Sequence, residues 1–418
     1  MNMKKYNDTG WSWFICVGSF VCNLVIGAQM NCSGVFMSAF VDSYKVTRGE
    51  AAWVAVLASS AVYFFAPLST SLCNQIGSRM TVAMGTIICM VAMVSSSFHS
   101  SFKALYFTYG ILWGLGASLS FYPNFVILSQ YFEKKISLAN GISTSGSSIS
   151  TIAMSPLIQY AFKQFGLSNG FRILACFHIL LIIPVCLYRP HEADKTAKIS
   201  KSSKTCIDEN VLKNPKYWIW VVAMIFFQLN YMVPFVHVVR LGQDIGASKI
   251  TASLLISIMA GGSLIGRVAF GRVADLKCLS RINIMQIALL WIAVSTTLAP
   301  FSPSFIWLAL YATVFGLNEG IYIMLFMVIT KDIVGTDHLA FAFGILYWIL
   351  FVPKTVGPLF AGFMFDSYQS YVLPFMLMGG VTALAALLLF LIPAKTSKKT
   401  SVDDEPETET IICRETSV

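Results

Sequence analysis

Twelve times along the chain, an almost uninterrupted apolar run reaches the length needed to cross a bilayer. The runs occupy 13–40, 51–73, 80–98, 104–129, 137–160, 170–188, 217–239, 250–270, 283–301, 305–330, 339–362 and 371–393. About 20 apolar residues at 1.5 Å per residue span the roughly 30 Å hydrocarbon layer. Inside that layer no water can satisfy a free N–H or C=O, so each run is expected to be helical. Composition closes off the soluble alternative, because only 12% of the residues are charged and 56% are hydrophobic. A water-soluble protein carries about 25% charged residues. The expected fold class is therefore all-α and integral to the membrane, with twelve transmembrane helices. The first run is too long for a signal-peptide core and no Ala-x-Ala site follows it, so it reads as a span.

Short loops join most runs, but 189–216 is polar and rich in Lys and Ser. The expected organisation is an N-terminal segment (1–12), a six-helix bundle (13–188), a linker (189–216), a second six-helix bundle (217–393) and a tail (394–418). Placing both termini in the cytoplasm puts 20 Lys and Arg residues on that side, against seven (Lys45, Arg48, Lys103, Lys163, Arg172, Arg240 and Lys249) outside. That asymmetry sets the orientation by the positive-inside rule. The net charge of +9 is then a topology signal and a membrane-surface attraction, and calls for no nucleic acid. Six of the ten cysteines (Cys16, Cys22, Cys32, Cys89, Cys176 and Cys186) lie in apolar runs and no Cys-x-x-Cys occurs. Neither a disulfide framework nor a metal site is expected. No cofactor is implied. The sequence lacks a phosphate-binding Gly-x-x-x-x-Gly-Lys-Ser/Thr loop and a His-box or Ser/His constellation, which argues against a pump or an enzyme.

The halves echo each other. Asn74-Gln-Ile-Gly77-Ser-Arg79 follows the second run and Gly271-Arg272-Val-Ala-Asp275, with Arg281 beyond, follows the eighth. Paired Gly-rich basic turns in a six-plus-six plan resemble the major facilitator superfamily. Further segments resemble its monocarboxylate transporter family. They are Asp8-Thr9-Gly10-Trp11-Ser12-Trp13 leading into the first helix, and Tyr131-Phe132-Glu133-Lys134-Lys135 with Leu138-Ala139-Asn140-Gly141 and Ser145-Gly146 leading into the fifth. Val233-Pro234-Phe235-Val236-His237 in the seventh and Val356-Gly357-Pro358, Ala361-Gly362 and Asp366 in the eleventh complete the set. The resemblance covers about residues 8–393. It implies a plasma-membrane secondary transporter of carboxylates, by proton symport or facilitated diffusion, and allows a single-span ancillary glycoprotein as partner. It casts Asp8, Arg79, Lys134 and Asp275 as gating or structural residues.

Charge at bilayer depth is costly unless paired, which makes each such residue a functional candidate. Arg267 in the eighth run, Glu319 in the tenth and Lys354 in the eleventh stand out. Proton-coupled relatives keep an Asp one turn before the Arg, where this chain has Ser263. Asn318-Glu319-Gly320 resembles instead the branch that carries thyroid hormones and aromatic amino acids, whose acid in this helix faces the Arg. Arg267 is expected to hold a substrate carboxylate and Glu319 to pair with it or take a proton. Lys354 leaves a positive excess, which favours an anionic substrate. Relatives that move short monocarboxylates have a Lys in the first helix where Asn31 stands here, and His237 matches a His of the aromatic branch; both are candidate substrate residues. Phe121, Tyr122, Phe226, Phe227, Tyr231 and Trp348 are candidate aromatic lining. A non-transporting receptor on the same fold is the alternative, disfavoured by the buried charges. Thr416-Ser417-Val418 at the C-terminus has the pattern read by a PDZ groove.

Overall fold

The computed structural model describes residue 8 and residues 10–98, 101–189, 208–276 and 279–392. The N-terminal Met1–Asn7, most of the linker and the tail with its Thr416–Val418 motif lie outside the described residues. Every regular element among the described residues is helical. Ten helices are individually long and apolar enough to cross a membrane, and Trp53–Phe64 with Ala66–Ile76 forms an eleventh, bent by 42°. The twelfth lies within Ile136–Phe177, a helix interrupted at Gly166, whose φ of 77° and ψ of 166° turn span 5 into span 6. Span 5 is not among the ten because Ser137, Ser143, Thr144, Ser145, Ser147, Ser148 and Ser150 dilute its apolar character. It can afford this composition because it faces other helices: a Cβ on Gly146 would lie 2.4 Å from the Phe20 carbonyl of span 1. Small residues at such points allow backbones to approach closely.

Helix starts follow the expected chemistry. Thr47 and Glu50 form a reciprocal capping box at span 2, with Glu50 N donating to Thr47 Oγ1 at 3.3 Å and Thr47 N to Glu50 Oε2 at 3.1 Å. Asn214 caps span 7 ahead of Pro215, and Ser248 and Ser280 cap spans 8 and 9. Breaks have local causes too. Span 2 bends at Phe65 ahead of Pro67, and span 7 passes from Pro215–Tyr231 to Val233–Asp244 at Met232, just before Pro234. Span 1 is Gly10–Asn31 continued by Ser33–Tyr44, and span 4 passes through a π-turn at Tyr106–Leu112 into Trp113–Tyr131. Span 8 is Lys249–Asp275, span 9 begins at Arg281, span 10 is Phe305–Val334 and span 11 is Leu339–Tyr368. The six-helix bundles meet along spans 2 and 11 and spans 5 and 8.

Candidate substrate site at the bundle interface

Spans 8 and 10 are pressed together by four glycines, Gly262 and Gly266 on one and Gly316 and Gly320 on the other. A Cβ on Gly266 would stand 2.1 Å from the Leu317 carbonyl oxygen, and one on Gly320 would stand 2.2 Å from that of Ser263. Each helix thus carries a Gly-x-x-x-Gly ridge, and each ridge fits against the other's backbone. Arg267 directly follows Gly266 and Glu319 directly precedes Gly320, so this contact delivers the two charges to the same depth. Arg267 Nη2 lies 3.4 Å from Glu319 Oε1, with both side chains buried.

The guanidinium also crosses between bundles. Its Nη1 donates to the Thr144 carbonyl and the Ser147 hydroxyl of span 5. One turn away, Ser263 meets Ser148 at 3.2 Å. Glu319 Oε1 accepts a second hydrogen bond, from Tyr231 Oη of span 7 at 3.0 Å. Two atoms of this pair are buried without a partner among the described residues, Arg267 Nε and Glu319 Oε2.

Lys354 is the third buried charge, 6% exposed. Its Nζ sits 3.7 Å from the centroid of Tyr63, across the interface on span 2. The next residue, Thr355, meets Ser60 at 3.0 Å, so spans 2 and 11 are joined at two successive points. Tyr63 belongs to an aromatic shell that both bundles build. Tyr63 and Tyr347 have centroids 4.8 Å apart, as do Tyr122 and Tyr347, and Tyr322 packs on Tyr231 at 5.8 Å. Tyr322 Oη donates to Gln228 Oε1 at 3.3 Å, which leaves Gln228 Nε2 buried and unpartnered. Tyr231, which donates to Glu319, ties the acid to this shell through its contact with Tyr322. Among the described residues, Arg267, Glu319 and Lys354 are the charged side chains that are fully buried, and together they carry one net positive charge.

Other expected site residues fall elsewhere. His237 contacts the Pro358 carbonyl at 3.4 Å and the Tyr371 ring, within the second bundle. Asn31 is exposed and donates to Thr151 Oγ1 at 2.9 Å, one turn beyond the Arg267 contacts on span 5. Of the expected aromatic lining, Tyr122 and Phe227 are buried and Tyr231 joins the shell, whereas Trp348 is 48% exposed on the outer surface of span 11.

The gating candidates Asp8, Lys134 and Asp275 collect around the N-terminus of span 5. Asp8 accepts from the backbone N–H groups of Lys134 and Lys135 at 3.0 and 3.1 Å, so Lys134 takes part through its main chain. Asp275, the last residue of span 8, reaches across and accepts from Ser137 N at 3.1 Å and Leu138 N at 2.9 Å. Both acids thus serve the N-terminus of span 5, where backbone donors and the helix dipole favour negative charge. Arg281 braces Asp275 at 3.1 Å and Asp332 at 3.0 Å. Lys331 of span 10 complements the arrangement, donating to the carbonyls of Ser129 and Phe132 at the C-terminus of span 4 at 2.7 and 3.1 Å. Arg79, the counterpart in the 2–3 turn, is exposed and makes no hydrogen bond or ion pair among the described residues. The sequence echo between the two turns therefore does not extend to their contacts.

The model of the Major Facilitator Superfamily matches the chain twice, over residues 19–242 and 223–414. Monocarboxylate transporter 10 of Mus musculus is 30% identical over 415 residues, covering 94% of this chain and 80% of that protein. The chain belongs to the monocarboxylate transporter family of the Major Facilitator Superfamily. Monocarboxylate transporter 12 of Xenopus laevis is 28% identical over 413 residues, covering 93% of this family member and 90% of its own length. Among solved structures, the proton:xylose symporter XylE superposes with a TM-score of 0.71 at 13% identity, over 91% of this chain and 96% of that one. The human organic anion transporter MFSD10 gives 0.68 at 12% identity, over 90% and 99%. At those identities the likeness concerns the fold, which is the twelve-helix architecture of two six-helix bundles. Family and relatives are membrane transporters and not enzymes.

Sequence reasoning passed over three parts of this site. The paired Gly-x-x-x-Gly spacing in spans 8 and 10 was visible as a pattern and would have aligned Arg267 with Glu319. Tyr63 and Tyr347 carry no such signal, since a Tyr in an apolar run looks like any other core aromatic. Lys331 was counted only as a cytoplasmic charge, although its place just past a transmembrane run, with a helix end opposite, is what gives it a partner.

Proposed function

We propose that this transporter carries monocarboxylate-type organic anions, including aromatic ones, through alternating exposure of the Arg267–Glu319–Lys354 site. The observation that carries the reading is the one uncompensated positive charge buried between the bundles among the described residues. Burying a lone charge costs several kcal/mol, and an anion entering from water would offset that cost. The aromatic shell of Tyr63, Tyr122, Tyr231, Tyr322 and Tyr347 supports an apolar or aromatic body on that anion. A receptor that carries nothing would have no use for an unpaired ammonium at this depth. In this proposal Glu319 is the coupling acid if transport is proton symport, since Oε2 is free to take a proton while Oε1 stays bonded to Tyr231. His237 and Asn31 then act at the periphery of the route. We place the termini in the cytoplasm of a plasma-membrane protein, on the Lys/Arg asymmetry. The Asp275 and Lys331 contacts then close the cytoplasmic side.

The experiment is uptake into vesicles containing the purified protein, with labelled carboxylates from three-carbon acids to aromatic acids and amino acids, each with and without an inward-acid pH gradient. Saturable uptake of a carboxylate but not of its neutral amide supports the reading. Uptake only of neutral solutes, or of none, refutes it.

A further inference from the structure

We infer that Gln228 and Tyr122 form a polar subsite in the wall that receives the substrate's body, and that the carboxylate carried best bears a hydroxyl on that body. The inference rests on the carboxylate reading above and narrows its substrate class. The shell of rings between the bundles is not uniformly apolar. Gln228 of span 7 and Tyr122 of span 4 are buried, at 1% and 0% exposure. Even so, Gln228 Nε2 and Tyr122 Oη each lack a hydrogen-bond partner among the described residues. Both groups belong to one shell. Tyr122 packs on Tyr347 at 4.8 Å and Gln228 is bonded to Tyr322 at 3.3 Å. Tyr347 and Tyr322 in turn both pack on Phe326, at 5.3 and 5.5 Å. One polar group comes from each six-helix bundle, so parting the bundles separates them.

A buried amide or hydroxyl with nothing to bond is rare, because it gives up its hydration without replacement. Packing accounts for neither group. Phe would fill the place of Tyr122 with the same ring, and Leu would fill that of Gln228 with no polar atom to satisfy. Tyr322 occupies one end of the Gln228 amide and leaves the other for whatever enters the shell. Turning the amide over only exchanges a free N–H for a free C=O, since a phenol can accept as readily as donate. A hydroxyl answers either orientation, because it too donates and accepts, and it answers the Tyr122 phenol in the same way. A second charge on the substrate's body would suit the subsite badly, since two neutral groups cannot offset it. A methyl group would leave both unpaired. A site built around a substrate hydroxyl rejects the analogue without it far more strongly than an apolar pocket rejects an added hydroxyl. Gln228 and Tyr122 are thus specificity-determining, whereas the buried charges recognise the carboxylate.

The test uses the full-length protein in vesicles and measures kcat/KM for 3-phenylpropanoate and for its three ring-hydroxylated isomers. The ratio of two such values on one preparation does not depend on how much of the protein is folded, so a variant that folds poorly still reports. The wild type should carry at least one hydroxylated isomer about tenfold or more better than the parent acid. Gln228→Leu and Tyr122→Phe should each cut that ratio to about threefold or less, while uptake of the parent acid holds or rises. Equal uptake of parent and isomers by the wild type, or a ratio that persists in both variants, would overturn the subsite and leave carboxylate transport standing. So would uptake of none of the four when another carboxylate of the wider panel is carried. Failure of the wild type to carry any carboxylate refutes the carboxylate reading itself.

Discussion

Adding one methyl group to Gly266 should disable this transporter, whereas the same change five residues earlier should do nothing. In Gly266→Ala the new Cβ would stand 2.1 Å from the Leu317 carbonyl oxygen and 3.0 Å from its carbon, with Gly320 Cα 3.3 Å away. All three obstacles are backbone, so no side chain can swing aside. Restoring an ordinary contact of about 3.4 Å parts spans 8 and 10 by about 1.3 Å at this point. The Arg267–Glu319 contact, at 3.4 Å, lies one residue away and cannot survive that shift. Overpacking of this kind costs roughly 1–3 kcal/mol, and separating a buried ion pair adds a further cost of similar size or larger. Gly261, on the other side of span 8, has nothing within 4 Å of its Cβ position. Gly261→Ala should be neutral or slightly stabilising, since Ala is the better helix former by about 1 kcal/mol. Both variants are compared by thermal unfolding in detergent and by uptake per molecule in vesicles. A Gly266→Ala protein as stable and active as Gly261→Ala would show that the glycine ridge does not set the distance between the charges.

Arg267→Ala should abolish uptake and lower stability by roughly 3–5 kcal/mol, because it leaves Glu319 buried without its cation. Glu319→Gln should fold better, since its amide oxygen still accepts from Tyr231 and Arg267; the comparison is the thermal midpoint of the two, and equal losses would refute it. Asp275→Asn removes the charge and turns one of the two oxygens that accept from Ser137 and Leu138 into a donor, and should weaken closure at the N-terminus of span 5 by about 0.3–2 kcal/mol or more. A cysteine placed on the interface side of span 10 near that end should then react faster with a membrane-permeant thiol reagent, and an unchanged rate counts against a latch. Tags inserted after Arg48 and after Ser200 should be labelled from outside intact cells in the first case only, and the opposite pattern would invert the orientation.

What a sequence of this kind makes legible is decided by the solvent it must satisfy. Lipid demands long apolar runs and internally bonded backbone, so all twelve spans could be read from hydropathy. Span 5, read as the apolar run 137–160, is the marginal case, because its serines lower its apolarity. Arg267 and Glu319 were found because charge at that depth has few innocent explanations, and the structure brings them together at 3.4 Å. Their consequences were harder to read. Pairing neutralises them, and the bonds from Arg267 to span 5 occupy its Nη1, information held in neither residue but in Thr144 and Ser147 on another bundle. Lys354, 6% exposed and seated on Tyr63, is held inside the interface between the bundles. Nothing local to the eleventh span could have indicated this, because the partner lies nearly 300 positions earlier in the chain. A buried charge is thus easy to find by sequence and hard to interpret, because its role depends on which of its hydrogen-bonding positions the rest of the fold has already filled.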